Sequence, residues 1–358
     1  MSQIPERVEN SLETLPPTWR LVPYCNQKEE GKVRCLLCQR RCLLAPGQSG
    51  YCHTKVNFHD QLYSTIYGVV AAIGVDPIEK KPIYHYRPGT KILTLGSLGC
   101  NFRCDFCQNW DVAFADGRNS GGLQQPNMLP EQAVSLAIES GCQGISWSYN
   151  EPSIWLEYVL DCAVLARKHG LYTVYVTNGY ITSEALDVLG PYLDVYRVDV
   201  KSFSDRFYGK LAHGARVGPV LESAINARHR WNLHVEVVTN VMPGWNDSEQ
   251  NLNELSAWIV RCLGPETPWH LTKFVPYAKM LDTPPTPVSS IERARDIGQA
   301  NGLTFIYSDG SVLGSTQATY CPRCGLQLIS RRAYQAQIVS GFEEGRCPSC
   351  SMVLPVVM

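Results

Sequence analysis

From residue 91 onward, apolar positions fall into two alternating kinds of run. Short blocks rich in β-branched and aromatic residues occupy 92–98, 144–149, 172–176, 195–200, 233–241, 270–275 and 303–308, and they read as strands. Between them, segments 130–139, 153–169, 182–189, 220–229, 248–262 and 291–300 carry helical spacing. Their ends are punctuated: Pro130 suits a first turn, Ser153 and Thr182 or Ser183 suit N-caps, and Gly170 suits a stop. Such alternation predicts parallel strands joined by right-handed crossovers, hence an α/β fold built as an open or partial TIM-type barrel. Upstream, the segment 62–70 (LYSTIYGVV) reads as a further strand in a β-rich lead-in.

A barrel of this kind presents its chemistry at the C-terminal strand ends, and polar residues cluster there. Asn150-Glu151-Pro152 follows the second strand and Thr177-Asn178-Gly179 the third. Asp199 and Lys201 share one face of the fourth, and His234 and Glu236 one face of the fifth, before Thr239-Asn240. Polar side chains on a buried strand are costly unless they are paired or used.

The 15 cysteines sharpen this picture. Most fall in short CxxC or CxxxC groups, a spacing that suits metal or cluster ligation better than disulfides. Cys321, Cys324, Cys347 and Cys350 form two CxxC knuckles, each with an internal proline, and predict a closed zinc ribbon. Cys35, Cys38, Cys42 and Cys52 also supply four ligands, with Gly47 and Gly50 to turn the loop between them. Zinc is the first expectation there and a second iron–sulfur cluster the alternative. The middle group, GCNFRCDFCQNW, offers three cysteines: Cys100, Cys104 and Cys107. Three thiolates on a [4Fe–4S] cube leave one iron open, as a catalytic site requires.

CxxxCxxC with Phe106 before its last cysteine, following a strand and glycine-flanked, resembles the signature of the radical S-adenosylmethionine (radical SAM) superfamily. Within it, CLLCQRRC…GQSGYC, DPIEKKPIYHYRPG, YNEPS, VTNGY, VDVKSF and NVMPGWND resemble the activating enzymes of glycyl-radical proteins. They resemble still more the "AmmeMemoRadiSam system" radical SAM family. The resemblance implies a (βα)6 core and a [4Fe–4S] cluster whose open iron chelates the amino and carboxylate groups of SAM. It implies reductive cleavage of SAM to methionine and a 5′-deoxyadenosyl radical that takes hydrogen from a substrate. It further implies that Asn150 and Glu151 meet the SAM amino group, and that Asn178, Asp199 and Lys201 bind the rest, Lys201 at the carboxylate. The chain departs from the activating enzymes at Tyr149 and Asn150 in place of two glycines, at Val176 in place of Asp, and at Ala278 in place of His.

The remaining features fit an enzyme of this class. The expected organisation is a four-cysteine region and lead-in over 1–90, a barrel over 91–312 and a ribbon over 313–358. The net charge of −1 argues against a large duplex nucleic-acid surface, and no apolar run is long enough for a membrane span. Residues 1–20 carry no secretory pattern, so a cytoplasmic address is expected. The implied partners are a flavodoxin or ferredoxin as reductant, with Memo-type and AMMECR-type proteins. The competing readings are a glycyl-radical activase and, in a different class, a non-catalytic iron–sulfur and zinc module that binds RNA or protein. An electron-carrying module normally holds its cluster with four cysteines rather than three.

Overall fold

The computed structural model describes residues 15–116, 127–308 and 317–358. Before the barrel lie two small antiparallel sheets. One joins β1 (Arg20–Leu21), β5 (Lys55–Phe58) and β6 (Gln61–Ser64); the other joins β2 (Asn26–Glu29), β3 (Lys32–Cys35) and β4 (Leu43–Leu44). The expected strand 62–70 is therefore shorter than its apolar run. It stops at Ser64, and Gly68 (φ +75°) turns the chain.

The dominant element is one eight-stranded sheet. Its parallel part runs in chain order through β8 (Lys91–Gly96), β9 (Gly144–Trp147), β10 (Tyr172–Thr177), β11 (Val195–Asp199), β12 (His234–Val241), β13 (Trp269–Lys273) and β14 (Ile306–Ser308). At its first edge β7 (Ala72–Pro77) pairs antiparallel with β8. The sequence pattern does not reveal β7, because Ile73 and Val75 are exposed and a glycine and a proline interrupt the run. The lead-in thus contributes a strand to the barrel sheet, and its apolar residues Val22, Val33, Leu44 and Leu62 share one core with the barrel.

α1 (Trp110–Ala113) lies in the loop after β8, its Val112 carbonyl accepting from the Gly99 amide at 2.9 Å; the further helices are α2 (Pro130–Glu139), α3 (Leu156–Lys168), α4 (Ser183–Leu189), α5 (Asp205–Leu211), α6 (Val217–Ile225), α7 (Glu249–Trp258) and α8 (Val288–Ala300). Thr182 and Ser248 cap α4 and α7, accepting from the Ala185 and Asn251 amides at 3.1 and 3.3 Å. Ser153 is not the cap expected of it. A 3-10 turn, Pro152–Trp155, leads into α3, and Glu151 accepts the Ser153 amide instead. α5 lies in a stretch without a clear apolar stripe.

The C-terminal sheet of β15 (Thr319–Tyr320), β16 (Gln327–Arg332) and β17 (Gln335–Ile338) packs on the open side of the barrel. Leu328, Ile329, Phe342 and Leu354 form one core with Tyr84, Phe305 and Tyr307 of the barrel. The boundary expected between 312 and 313 lies outside the described residues. Among the described residues, no helix is long and apolar enough to cross a membrane.

Candidate active site and cysteine centres

The loop that leaves β8 carries the three-cysteine motif over the C-terminal ends of the parallel strands. Cys100 and Cys104 are buried and Cys107 half-buried. Asn150 holds the root of this loop: its Nδ2 donates to Ser97 Oγ at 2.9 Å and to the Gly99 carbonyl at 2.8 Å, while its Oδ1 accepts the Ser97 amide at 3.2 Å. From the next strand, Asn178 Nδ2 donates to Asn101 Oδ1 at 2.7 Å and lies 4.0 Å from Cys100 Sγ.

Below the loop opens a cavity of about 660 Å³, within the range of small-molecule and cofactor pockets. Cys100, Cys104, Cys107, Asn150, Asn178, Asp199 and Lys201 all line it. The structure therefore brings together seven of the eight residues expected at the barrel site. Glu151 is the exception. It is fully buried behind the wall, where it accepts from Thr177 Oγ1 at 2.8 and 3.0 Å, the Asn178 amide at 2.8 Å, the Ser153 amide at 3.0 Å, and the Ser153 hydroxyl. Its oxygens are taken up by Ser153 and the Thr177–Asn178 turn, so the side chain expected at the ligand lies outside the cavity lining. Burial raises its pKa, although every one of these donors opposes the shift.

Arg197 belongs to the site and was missed. It sits two residues before Asp199 on the same strand, so the spacing that pairs Asp199 with Lys201 also carries it into the cavity. Asp199 lies between the two cations, 2.6 Å from Arg197 and 3.0 Å from Lys201. Burial alone would raise the Asp199 carboxyl, but the two cations hold it below its ordinary value. Burial alone would lower the Lys201 ammonium, yet Asp199 and the neighbouring Cys104 keep it above its usual range. Among the described residues Arg197 Nε has no hydrogen-bond partner. The wall thus carries a fixed excess of positive charge, which suits a carboxylate ligand.

The cavity floor is a buried polar plug. Glu236 accepts from His270 at 2.6 Å, His234 at 2.9 Å and the His85 amide at 2.8 Å. These three contacts, together with the Tyr84 amide, account for the polar face of β12 that the sequence exposes.

The other cysteines gather at two places. In the ribbon the Sγ atoms of Cys321, Cys324, Cys347 and Cys350 all lie within 4.8 Å of one another. Thiolates about 2.3 Å from one tetrahedral ion stand about 4 Å apart, so this set fits a single zinc. Cys35, Cys38, Cys42 and Cys52 line one small void beside the cluster loop. Among the described residues the ribbon is the one group of three or more ligands that meets this 4.8 Å spacing, so the N-terminal set and the Cys100 set are both wider.

Residues 95–255 match the family model described as the radical SAM superfamily. The chain is 37% identical over 337 residues to the uncharacterized protein MJ0808 of Methanocaldococcus jannaschii, covering 94% of this chain and 98% of that one. It is 26% identical over 172 residues to the pyruvate formate-lyase 1-activating enzyme of Escherichia coli, covering 47% of this chain and 68% of the relative. A solved radical SAM methyltransferase from Sphaerobacter thermophilus aligns with a TM-score of 0.48 at 18% identity, over 65% of this chain and 70% of that one. The family-model match and the two sequence relatives lead to one assignment: the chain belongs to the radical SAM superfamily, is an enzyme of that type, and is related to the pyruvate formate-lyase activating enzymes.

Proposed function

We propose that Cys100, Cys104 and Cys107 hold a [4Fe–4S] cluster and that SAM binds beside it in the 660 Å³ cavity, for radical abstraction of hydrogen from a second substrate. The single observation that carries this reading is the convergence of three buried or half-buried cysteines with the Arg197–Asp199–Lys201 row on one cavity. When bound, the cluster supplies the one electron that splits the sulfonium of SAM into methionine and a 5′-deoxyadenosyl radical.

The chain's own residues do the rest. Lys201 and Arg197 present positive charge for the carboxylate of SAM, and Asp199 fixes both side chains so that little rotamer freedom is lost on binding. Asn150 and Asn178 hold the cluster loop from two adjacent strand ends and keep amide groups on the cavity wall. Glu151 keeps the Asn178 turn in place from behind. Walls built from buried side chains exclude water from the reacting centre. The reductant is a small electron-transfer protein of the flavodoxin or ferredoxin kind, and Memo-type or AMMECR-type proteins are the partners to test. The setting is the cytoplasm.

The test is anaerobic reconstitution followed by SAM and dithionite, with 5′-deoxyadenosine as the readout. Wild type is expected to form it and Cys104→Ala to lose it by at least about a hundredfold, the scale on which an essential cofactor contact acts. A fully loaded wild type that forms none overturns the reading.

A further inference from the structure

The four N-terminal cysteines are buried or half-buried around one void, yet they are spaced differently from those of the ribbon. The ribbon's sulfurs have closed to the separation that one tetrahedral ion demands. Among the N-terminal sulfurs, which line one void, no three meet that 4.8 Å spacing. Four thiolates that each hold a separate corner of a cube stand further apart than four thiolates on one ion, so wider spacing around a shared void is cluster geometry.

One further observation points the same way. Asn101 is fully buried on the wall of this void, and its Nδ2 donates to nothing among the described residues. A cluster carries sulfides that accept hydrogen bonds, whereas a zinc ion already closed by four thiolates leaves only those thiolates. Each cysteine sulfur is also tuned: Thr54 Oγ1 donates to Cys52 at 3.2 Å and the Tyr51 amide to Cys42 at 3.5 Å, while the Leu37 and Arg40 amides serve Cys35 and Cys38. Arg40 lines the void as well, whereas the Lys55 ammonium beside it is paired with Glu157 at 2.8 Å.

We infer that Cys35, Cys38, Cys42 and Cys52 ligate a second [4Fe–4S] cluster rather than zinc. With all four irons held by protein, it has no open position for SAM or substrate and serves as an electron carrier. Its place supports that role: Asn101 lines its void, follows Cys100 in the chain, and accepts a hydrogen bond from Asn178 in the proposed SAM cavity. Asn101 therefore lies between the two centres, on the wall of one and with its Oδ1 3.8 Å from Cys100 Sγ of the other. Only the neighbouring role rests on the proposed function; the occupancy of the site does not.

The full chain, reconstituted anaerobically, is assayed for iron, acid-labile sulfide and zinc, and by electron paramagnetic resonance after dithionite reduction. Wild type is expected to hold about eight irons and about one zinc per chain, and the Cys100→Ala/Cys104→Ala/Cys107→Ala variant about four irons with the zinc unchanged. The reduced signal of that variant should not move when SAM is added. Cys38→Ala/Cys42→Ala should show the complement, with about four irons and a signal that SAM shifts. A triple variant with no iron and about two zincs per chain overturns the inference. If that variant fails to fold, wild type decides alone: about four irons with two zincs rejects a second cluster. Failure of the proposed SAM site is distinguishable, because it would leave the iron of the triple variant in place.

Discussion

Glu151 is the residue whose role differs most from its resemblance. Its carboxylate receives donors from Ser153, Thr177 and Asn178 and does not line the cavity. Glu151→Gln places an NH2 group against groups that are themselves donors, leaving at least one of them unsatisfied, at a cost of about 1–3 kcal/mol. The expected outcome is a lower denaturation midpoint and weaker SAM binding through the Asn178 turn, with iron content unchanged; unchanged stability would remove Glu151 from its positioning role. His85 behaves differently. Burial lowers its pKa from 6.5 to about 3, so it folds as neutral imidazole with Nε2 2.6 Å from the Tyr307 hydroxyl. A base depressed on folding keeps its contribution above its unfolded pKa and loses it as pH falls from 6.5 toward about 3. The contribution lost is about 2 kcal/mol between pH 6.5 and 5. His270 is also lowered by burial, in spite of Glu236, and acts in the same direction. His85→Gln retains a hydrogen-bonding group but cannot titrate, so its stability, measured by denaturant unfolding at several pH values, should fall less steeply over this window.

At the scale of elements, the cluster loop is held where three segments meet: the end of β8, the turn after β9 and the N-terminal knuckle. Gly99 sits at that junction with φ +83°, and an added Cβ would lie 2.7 Å from the Cys52 carbonyl. Backbone cannot yield as a flexible side chain does, so Gly99→Ala forces the loop away from the knuckle and costs about 1–3 kcal/mol. Reduced iron retention and a lower melting temperature are expected. Gly209→Ala, in α5 with open space around it, is the control and should be neutral or slightly stabilising. Equal behaviour of the two variants would mean that the junction is not tight. The expected alternation of strands and helices agrees with the observed parallel sheet because its strands are buried on both faces, as in β10, where every residue is buried. It does not reach β7 or α5, whose exposed or mixed faces leave no periodic trace.

At the scale of the molecule, the ribbon is bound into the barrel. Arg331 of β16 extends inward, donating to the Tyr84 carbonyl at 2.6 Å and Thr319 Oγ1 at 2.8 Å, with its Nε 3.8 Å from Glu79 and its guanidinium 4.1 Å from the Tyr84 ring centre. Arg331→Met fills much of the volume but leaves Glu79 and these carbonyl and hydroxyl groups without their cation. Removing one member of a buried pair costs about 3 kcal/mol or more. A large drop in the unfolding midpoint is expected; an unchanged midpoint would mean that the ribbon docks by its apolar core alone. Arg331 and Tyr84 are 247 residues apart in the chain, and nothing local to either marks the contact.

By itself, the sequence determined what depends on short-range spacing. A single short loop can present three thiolates, and two CxxC knuckles can close on an ion, because ligands near in sequence lose little entropy on converging. Burial on both faces likewise writes a largely apolar run into strands such as β8 (Lys91–Gly96). Only the tertiary structure decided which polar groups face a cavity and which are spent on neighbours. It turned Glu151 behind the wall, brought Arg197 beside Asp199, and set the N-terminal cysteines further apart than those of the ribbon. Each of these outcomes depends on distances between segments far apart in the chain, and such distances are set by packing rather than by the identity of neighbouring residues.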